Sequence, residues 1–157
     1  MKRTTSVMIV AACAVAVLGG IATVRAQSPS QGAAESLAAA KAVFERICSG
    51  CHGLDRPLGK TFDQAGWEAL VQRMKGNGAV VSEAERAQIV AYLVTKNTFE
   101  AKCSACHGVE RPLGKNKSAA DWLATVQRMA GKKPGHLTAG EVENIAAYLN
   151  LVRPLAQ

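Results

Sequence analysis

The sequence predicts an all-α protein made of two tandem copies of one small three-helix unit. Three observations lead there. Apolar residues recur at helical spacing, as Leu37, Ala40, Phe44 and Ile47 do, and no stretch alternates convincingly with a period of two. Helix-start signals recur along the chain: Asp63, Ser82 with Glu85, Ser118 with Asp121, and Thr138 with Glu141. The chain also repeats itself, since "ICSGCHGLDRPLGK" (47–60) returns 55 residues later as "KCSACHGVERPLGK" (102–115).

The elements follow in order. The run "ESLAAAKAVFERICSG" (35–50) predicts the first helix, broken by Gly50 and Gly53. Asp63 caps a second, "QAGWEALVQRM" (64–74), which Gly76 stops just after Met74. The box of Ser82 and Glu85 opens a third that reaches about Thr95. The second copy's first helix is already under way at Phe99, so a connection of about four residues is expected between them. So short a link predicts units that pack together rather than drift apart. In the second copy one helix runs from Ser118 to near Gly131, and Thr138 opens the last.

The repeat extends beyond the quoted segment. Trp67 and Trp122, and the pair Met74 and Met129, share the 55-residue offset; Ile89 and Tyr92 match Ile145 and Tyr148 after a slip of one. The predicted divisions are a signal peptide at 1–26, one unit at 27–95 and another at 96–157. Units of this size bury little apolar surface alone and usually need a staple.

Lys2 and Arg3, the apolar run 7–21 and the small residues Val24 and Ala26 have the layout of a secretory signal, cut after Ala26. The chain is therefore expected to be exported to the periplasm. A membrane enters only if that segment is uncleaved or lipidated; Cys13 sits in a lipoprotein-like box but in the middle of the apolar run. Without Lys2, Arg3 and Arg25 the formal charge falls from +7 to +4. No basic stripe interleaved with aromatics exists, which argues against nucleic acid.

Loss of Cys13 leaves four cysteines, all in the repeated segment. In an oxidising compartment two disulfides are the ordinary expectation. The spacing argues otherwise. C-x-x-C-H is the attachment signature of c-type haem: two thiols one helical turn apart bond both vinyl groups, and the next histidine reaches the iron. Two haem c groups are expected, held through Cys48 and Cys51 and through Cys103 and Cys106, with His52 and His107 as axial ligands. One zinc shared by both cysteine pairs is the alternative, but it leaves the paired histidines and methionines unexplained. A thiol–disulfide oxidoreductase would want a βαβ setting.

Met74 and Met129 are the only methionines after the signal segment, each 22 residues beyond its histidine. Methionine on a helix is usually core filler. Its coincidence in both copies makes Met74 and Met129 the predicted sixth ligands. His136 competes in the second unit, but the first has no counterpart, which suggests an exposed loop residue. Pro57 and Pro112 are expected to offer a backbone carbonyl to the histidine ring, with Leu58 and Leu113 against the porphyrin. Arg56, Lys60, Arg73 and their twins are candidates to neutralise propionates. Residues 53–61 resemble a phosphate loop, but five residues separate the glycines where four are required.

CSGCH, CSACH, the aromatic residue four positions ahead, the methionine and the terminal Tyr-Leu helix together resemble class I cytochromes c in a tandem dihaem arrangement. The resemblance implies two cytochrome c-like domains, with first and last helices crossing through Phe44 with Tyr92 and Phe99 with Tyr148. The His-to-Met interval is shorter than in mitochondrial cytochrome c, which implies a trimmed loop and a more open haem edge. A narrower likeness is to the haem domains serving periplasmic dehydrogenases such as sulfite dehydrogenase and quinohaemoprotein amine dehydrogenase.

The implied function is electron transfer between a dehydrogenase or respiratory complex and a downstream acceptor. His and Met on both irons leave no site for a substrate, so the chain is expected to be a carrier or the haem subunit of an oxidoreductase, with no catalytic residues of its own. Its partners would be a periplasmic dehydrogenase, other cytochromes or an oxidase. A dihaem peroxidase or thiosulfate-oxidising cytochrome is the enzymatic alternative, and a zinc-stapled structural protein the third.

Overall fold

The computed structural model describes residues 29–155; the expected signal segment 1–26, with Cys13, lies outside them. Among the described residues there are seven helices and no strand, apart from an isolated bridge between Lys117 and Pro154. The all-α expectation holds. No helix among these residues is long and apolar enough to cross a membrane.

α1 (Pro29–Cys48) begins six residues earlier than the sequence suggested, on a proline whose fixed φ suits a first helical turn. α2 (Asp55–Leu58) is one turn built from the Asp-Arg-Pro-Leu segment. α3 (Gln64–Gly76) opens where Asp63 accepts the Gly66 N–H at 2.8 Å. Beyond it Gly78, at φ +102°, turns the chain through a conformation that a Cβ would strain.

α4 (Glu83–Ser104) opens on the full capping box: the Ser82 hydroxyl accepts from Glu85 N–H, and the Glu85 carboxylate accepts from Ser82 N–H at 2.9 Å. α5 (Glu110–Leu113) repeats α2. α6 (Ala119–Lys132) is capped by Ser118, and α7 (Ala139–Val152) by the box of Thr138 and Glu141. Each cap of this kind stabilises its helix by about 1 kcal/mol.

One expectation fails. No connection separates the third helix of the first copy from the first helix of the second; α4 runs 22 residues unbroken through 96–98. The physical reason lies in Lys96, Asn97 and Thr98, which include neither Gly nor Pro. Lys96 pairs with Glu100 one turn on at 2.7 Å, a spacing that supports a helix. The matching place after α7 holds Pro154, which cannot continue a helix.

α1 lies against both α4 and α7, α3 packs on α4, and α6 packs on α7. The buried side chains form a single cluster from Leu37 to Leu149, so the two halves of the sequence share one core. Trp67, Trp122, Phe44 and Phe99 are its largest fully buried members. The Phe44 and Tyr92 rings stand 5.3 Å apart and the Phe99 and Tyr148 rings 5.2 Å apart, the two crossings the resemblance implied.

Candidate functional site

Cys48 closes α1, and the turn after it carries Cys51 and His52 back toward α3 and α4. These three side chains and Met74, near the end of α3, line one cavity of about 620 Å³. That size lies within the roughly 300–1,000 Å³ of ordinary cofactor pockets. Its walls are apolar, with Trp67, Val71, Ile89 and Leu93 at the back. Arg56, Lys60 and Arg73 line it as well, so three cations face a space whose wall is otherwise oily. Leu58, expected against a porphyrin, packs on the core instead.

The histidines have a defined tautomer. His52 Nδ1 lies 3.0 Å from the Gly53 carbonyl and His107 Nδ1 lies 3.1 Å from the Gly108 carbonyl. A carbonyl only accepts, so Nδ1 carries the proton and the Nε2 lone pair is left for a metal. The second-nitrogen acceptor expected at Pro57 and Pro112 is therefore corrected to the adjacent glycine. The proline carbonyls accept from Lys60 and Lys115 N–H at 3.0 Å, because the segment coils into a helical turn and closes on itself.

Burial pushes the Cys48 and Cys103 thiols up from their ordinary value. Thiol–disulfide exchange needs the opposite, a thiolate stabilised by positive surroundings. The four described cysteines form no disulfide. Among the described residues no three His, Cys, Asp or Glu side chains group as a metal site, so the two cysteine pairs do not converge as a shared zinc would require.

In the second copy the motif residues match the first in exposure and in the histidine contact, with differences around them. Cys103 and His107 are half-buried and Cys106 is exposed, as their counterparts are. Met129 is 36% exposed, whereas Met74 is partly buried in the cavity wall. His136 is not the exposed loop residue the sequence suggested. Its Nε2–H donates to the Lys102 carbonyl at 2.9 Å, and Lys102 Nζ donates back to the His136 carbonyl at 2.9 Å. This pair fastens the α6–α7 loop beside Cys103. Lys102 also meets Glu141 at 3.0 Å, and Glu85, the counterpart of Glu141, meets Arg46 at 2.6 Å.

Residues 95–149 match the family model described as cytochrome C oxidase, cbb3-type, subunit III. The match supports a c-type cytochrome. A cytochrome c domain implies haem c and suggests electron transfer, and the matched stretch contains the second C-x-x-C-H, Trp122 and Met129. No curated protein and no solved structure matches the chain.

The residues that sequence reasoning missed are those that shape the cavity beside Cys48 and His52 rather than supply its candidate ligands. Phe62 sets its ring edge-on to Trp67 at 5.2 Å. Asn97, only 5% exposed, accepts the Trp67 indole N–H at 2.7 Å. Asn97 lies where a connection was expected, so its burial had no signal in the local pattern.

Proposed function

We propose that the chain is an exported dihaem c-type cytochrome that passes electrons between a dehydrogenase or respiratory complex and a downstream acceptor. The observation that carries this reading is the single cavity lined by Cys48, Cys51, His52 and Met74. A haem held there supplies one-electron exchange at its iron. The chain's part is to bind and tune. Cys48 and Cys51 would form the two thioethers, and His52, protonated on Nδ1 toward the Gly53 carbonyl, would present Nε2. Met74 is the sixth-ligand candidate. Arg56, Lys60 and Arg73 offer positive charge to carboxylates at the rim, while Trp67 and Leu93 exclude water. The quasi-equivalent residues Cys103, Cys106, His107 and Met129 would hold the second haem. A core shared by both copies supports a relay, because two haems bound there would be held in fixed relation.

A dihaem redox enzyme is the second reading, and the exposure of Met129 favours it, because a loosely held methionine can leave the sixth position open. The deciding experiment is the mass of the denatured protein together with its visible spectrum. Two covalent haems on residues 27–157, low-spin in both oxidation states, are expected for the carrier. A bare polypeptide mass refutes both readings, and a high-spin fraction of one half selects the enzyme.

A further inference from the structure

The continuity of α4 poses a problem that the second copy does not have. There, the chain leaves α7 after Val152, and the freed backbone is put to use. The Arg153 carbonyl accepts the Trp122 indole N–H at 2.9 Å and the Lys117 N–H at 3.3 Å, and Leu155 N–H returns to the Lys117 carbonyl at 2.8 Å. One peptide segment past the helix thus pins the tryptophan and the loop before α6. In the first copy Asn97 occupies the position of Arg153, but its backbone belongs to the interior of α4 and is committed to the helix. No free peptide group is left there to receive Trp67.

The Asn97 side chain supplies one. A carboxamide carries the same acceptor and donor as a peptide group. Its Oδ1 accepts the Trp67 indole N–H at 2.7 Å and the Phe62 N–H at 3.2 Å, the counterparts of Trp122 and Lys117. Its Nδ2 donates to the Lys60 carbonyl at 3.1 Å and approaches the Glu100 carboxylate at 3.5 Å. Lys60, Phe62 and Trp67 all line the cavity with Cys48, His52 and Met74. One buried residue in the junction between the copies therefore holds three residues of the first cavity's wall.

We infer that Asn97 is a positioning residue that stands in for a chain end, allowing α4 to cross between the copies unbroken while it holds the wall of the cavity around Cys48, His52 and Met74 and makes no hydrogen bond to the second copy's C-x-x-C-H segment. The inference rests on the dihaem reading only for its spectroscopic consequence; the hydrogen-bond substitution stands without it.

The test uses full-length protein as purified, comparing wild type with Asn97→Leu and Asn97→Asp. Leucine keeps the same branched side-chain skeleton and removes every one of these hydrogen bonds, whereas aspartate keeps the acceptor for Trp67 and Phe62. Hydrogen exchange of the two indole N–H groups is the first readout, with Trp122 as internal control. In Asn97→Leu the Trp67 indole is expected to exchange about tenfold faster or more, since a buried donor has lost its acceptor, and Trp122 to be unchanged. Asn97→Asp should restore most of that protection. The second readout is the pair of reduction potentials: one is expected to move in Asn97→Leu and the other to stay. Equal acceleration of both indoles, or no change at Trp67, overturns the positioning role. If leucine prevents folding, an unprotected Trp67 indole in Asn97→Asp overturns it instead. A protein without haem would refute the proposed function yet leave the indole comparison readable. Two potentials that move together, with only Trp67 exchange changed, would overturn the confinement to one cavity.

Discussion

The Tyr92 and Tyr148 rings lie 6.3 Å apart, centroid to centroid, tilted by 42°. They are the same residue of the repeat, met from the two copies. With Phe44 on one side and Phe99 on the other they make a continuous row of four rings that runs from α1 to α4, across to α7 and back to α4. Burial pushes both phenol groups up from their ordinary value, most strongly at Tyr148, so both stay protonated at any physiological pH. The row places the seam between the copies inside the core.

Coupling between the two tyrosines is the first expectation. Substituting Tyr92→Leu, Tyr148→Leu and both together, with stability read from denaturant unfolding, should return an interaction energy of about 0.5–1.5 kcal/mol. Strict additivity would mean that the rings merely lie near each other.

The shared core and the unbroken α4 also bear on whether the halves are independent. A chain ended at residue 95 loses α7, against which α1 packs, and a chain begun at 96 loses α1. Neither 27–95 nor 96–157 is expected to unfold cooperatively when expressed alone. Mixing the two should restore helical circular dichroism and a sharp transition. Two halves that each melt sharply would show that the seam contributes little.

The methionines should differ. Met74→Ala is expected to lower one reduction potential by the loss of a thioether ligand, with loss of the sulfur-to-iron charge-transfer band of that haem. Met129→Ala should do the same to the other potential, with a smaller change if its exposure loosens the bond. His136→Ala should leave both potentials in place while costing about 1 kcal/mol, the value of its hydrogen bond to Lys102. If His136→Ala shifts a potential and Met129→Ala does not, the second iron is bis-histidine.

Acid should loosen the N-terminus of α4. The Ser82 N–H and hydroxyl, then Arg46, hold the Glu85 carboxyl down at about 2 from its ordinary 4.5. The folded state binds this proton less readily than the unfolded one, so the stabilisation is complete above pH 4.5 and is lost as pH falls toward 2. Glu141 is lowered in the same direction, chiefly by Thr138 N–H. Thermal midpoints measured between pH 7 and 2 should therefore fall less steeply in Glu85→Gln than in wild type over that acid window. Parallel slopes would assign the acid sensitivity elsewhere.

Much of the molecule was legible in its order of residues, for local reasons. Caps at Asp63, Ser82, Ser118 and Thr138 act within four residues, so their helices could be placed before any packing was known. The attachment motif is local too, because Cys48, Cys51 and His52 are set by one turn of chain. Even the crossings of Phe44 with Tyr92 and Phe99 with Tyr148 followed from the repeat and its resemblance. What only the tertiary structure decided is where the copies end. A helix stops when its backbone groups find better partners or a proline forbids the next turn; Pro154 announces such a stop, whereas nothing at 96–98 does. The partners that make continuity possible, Trp67 and Lys60 for Asn97, lie 30 and 37 residues away. The same is true of His136, whose acceptor is 34 residues distant, and of the Met74 and Met129 exposures, which depend on what the fold lays over them.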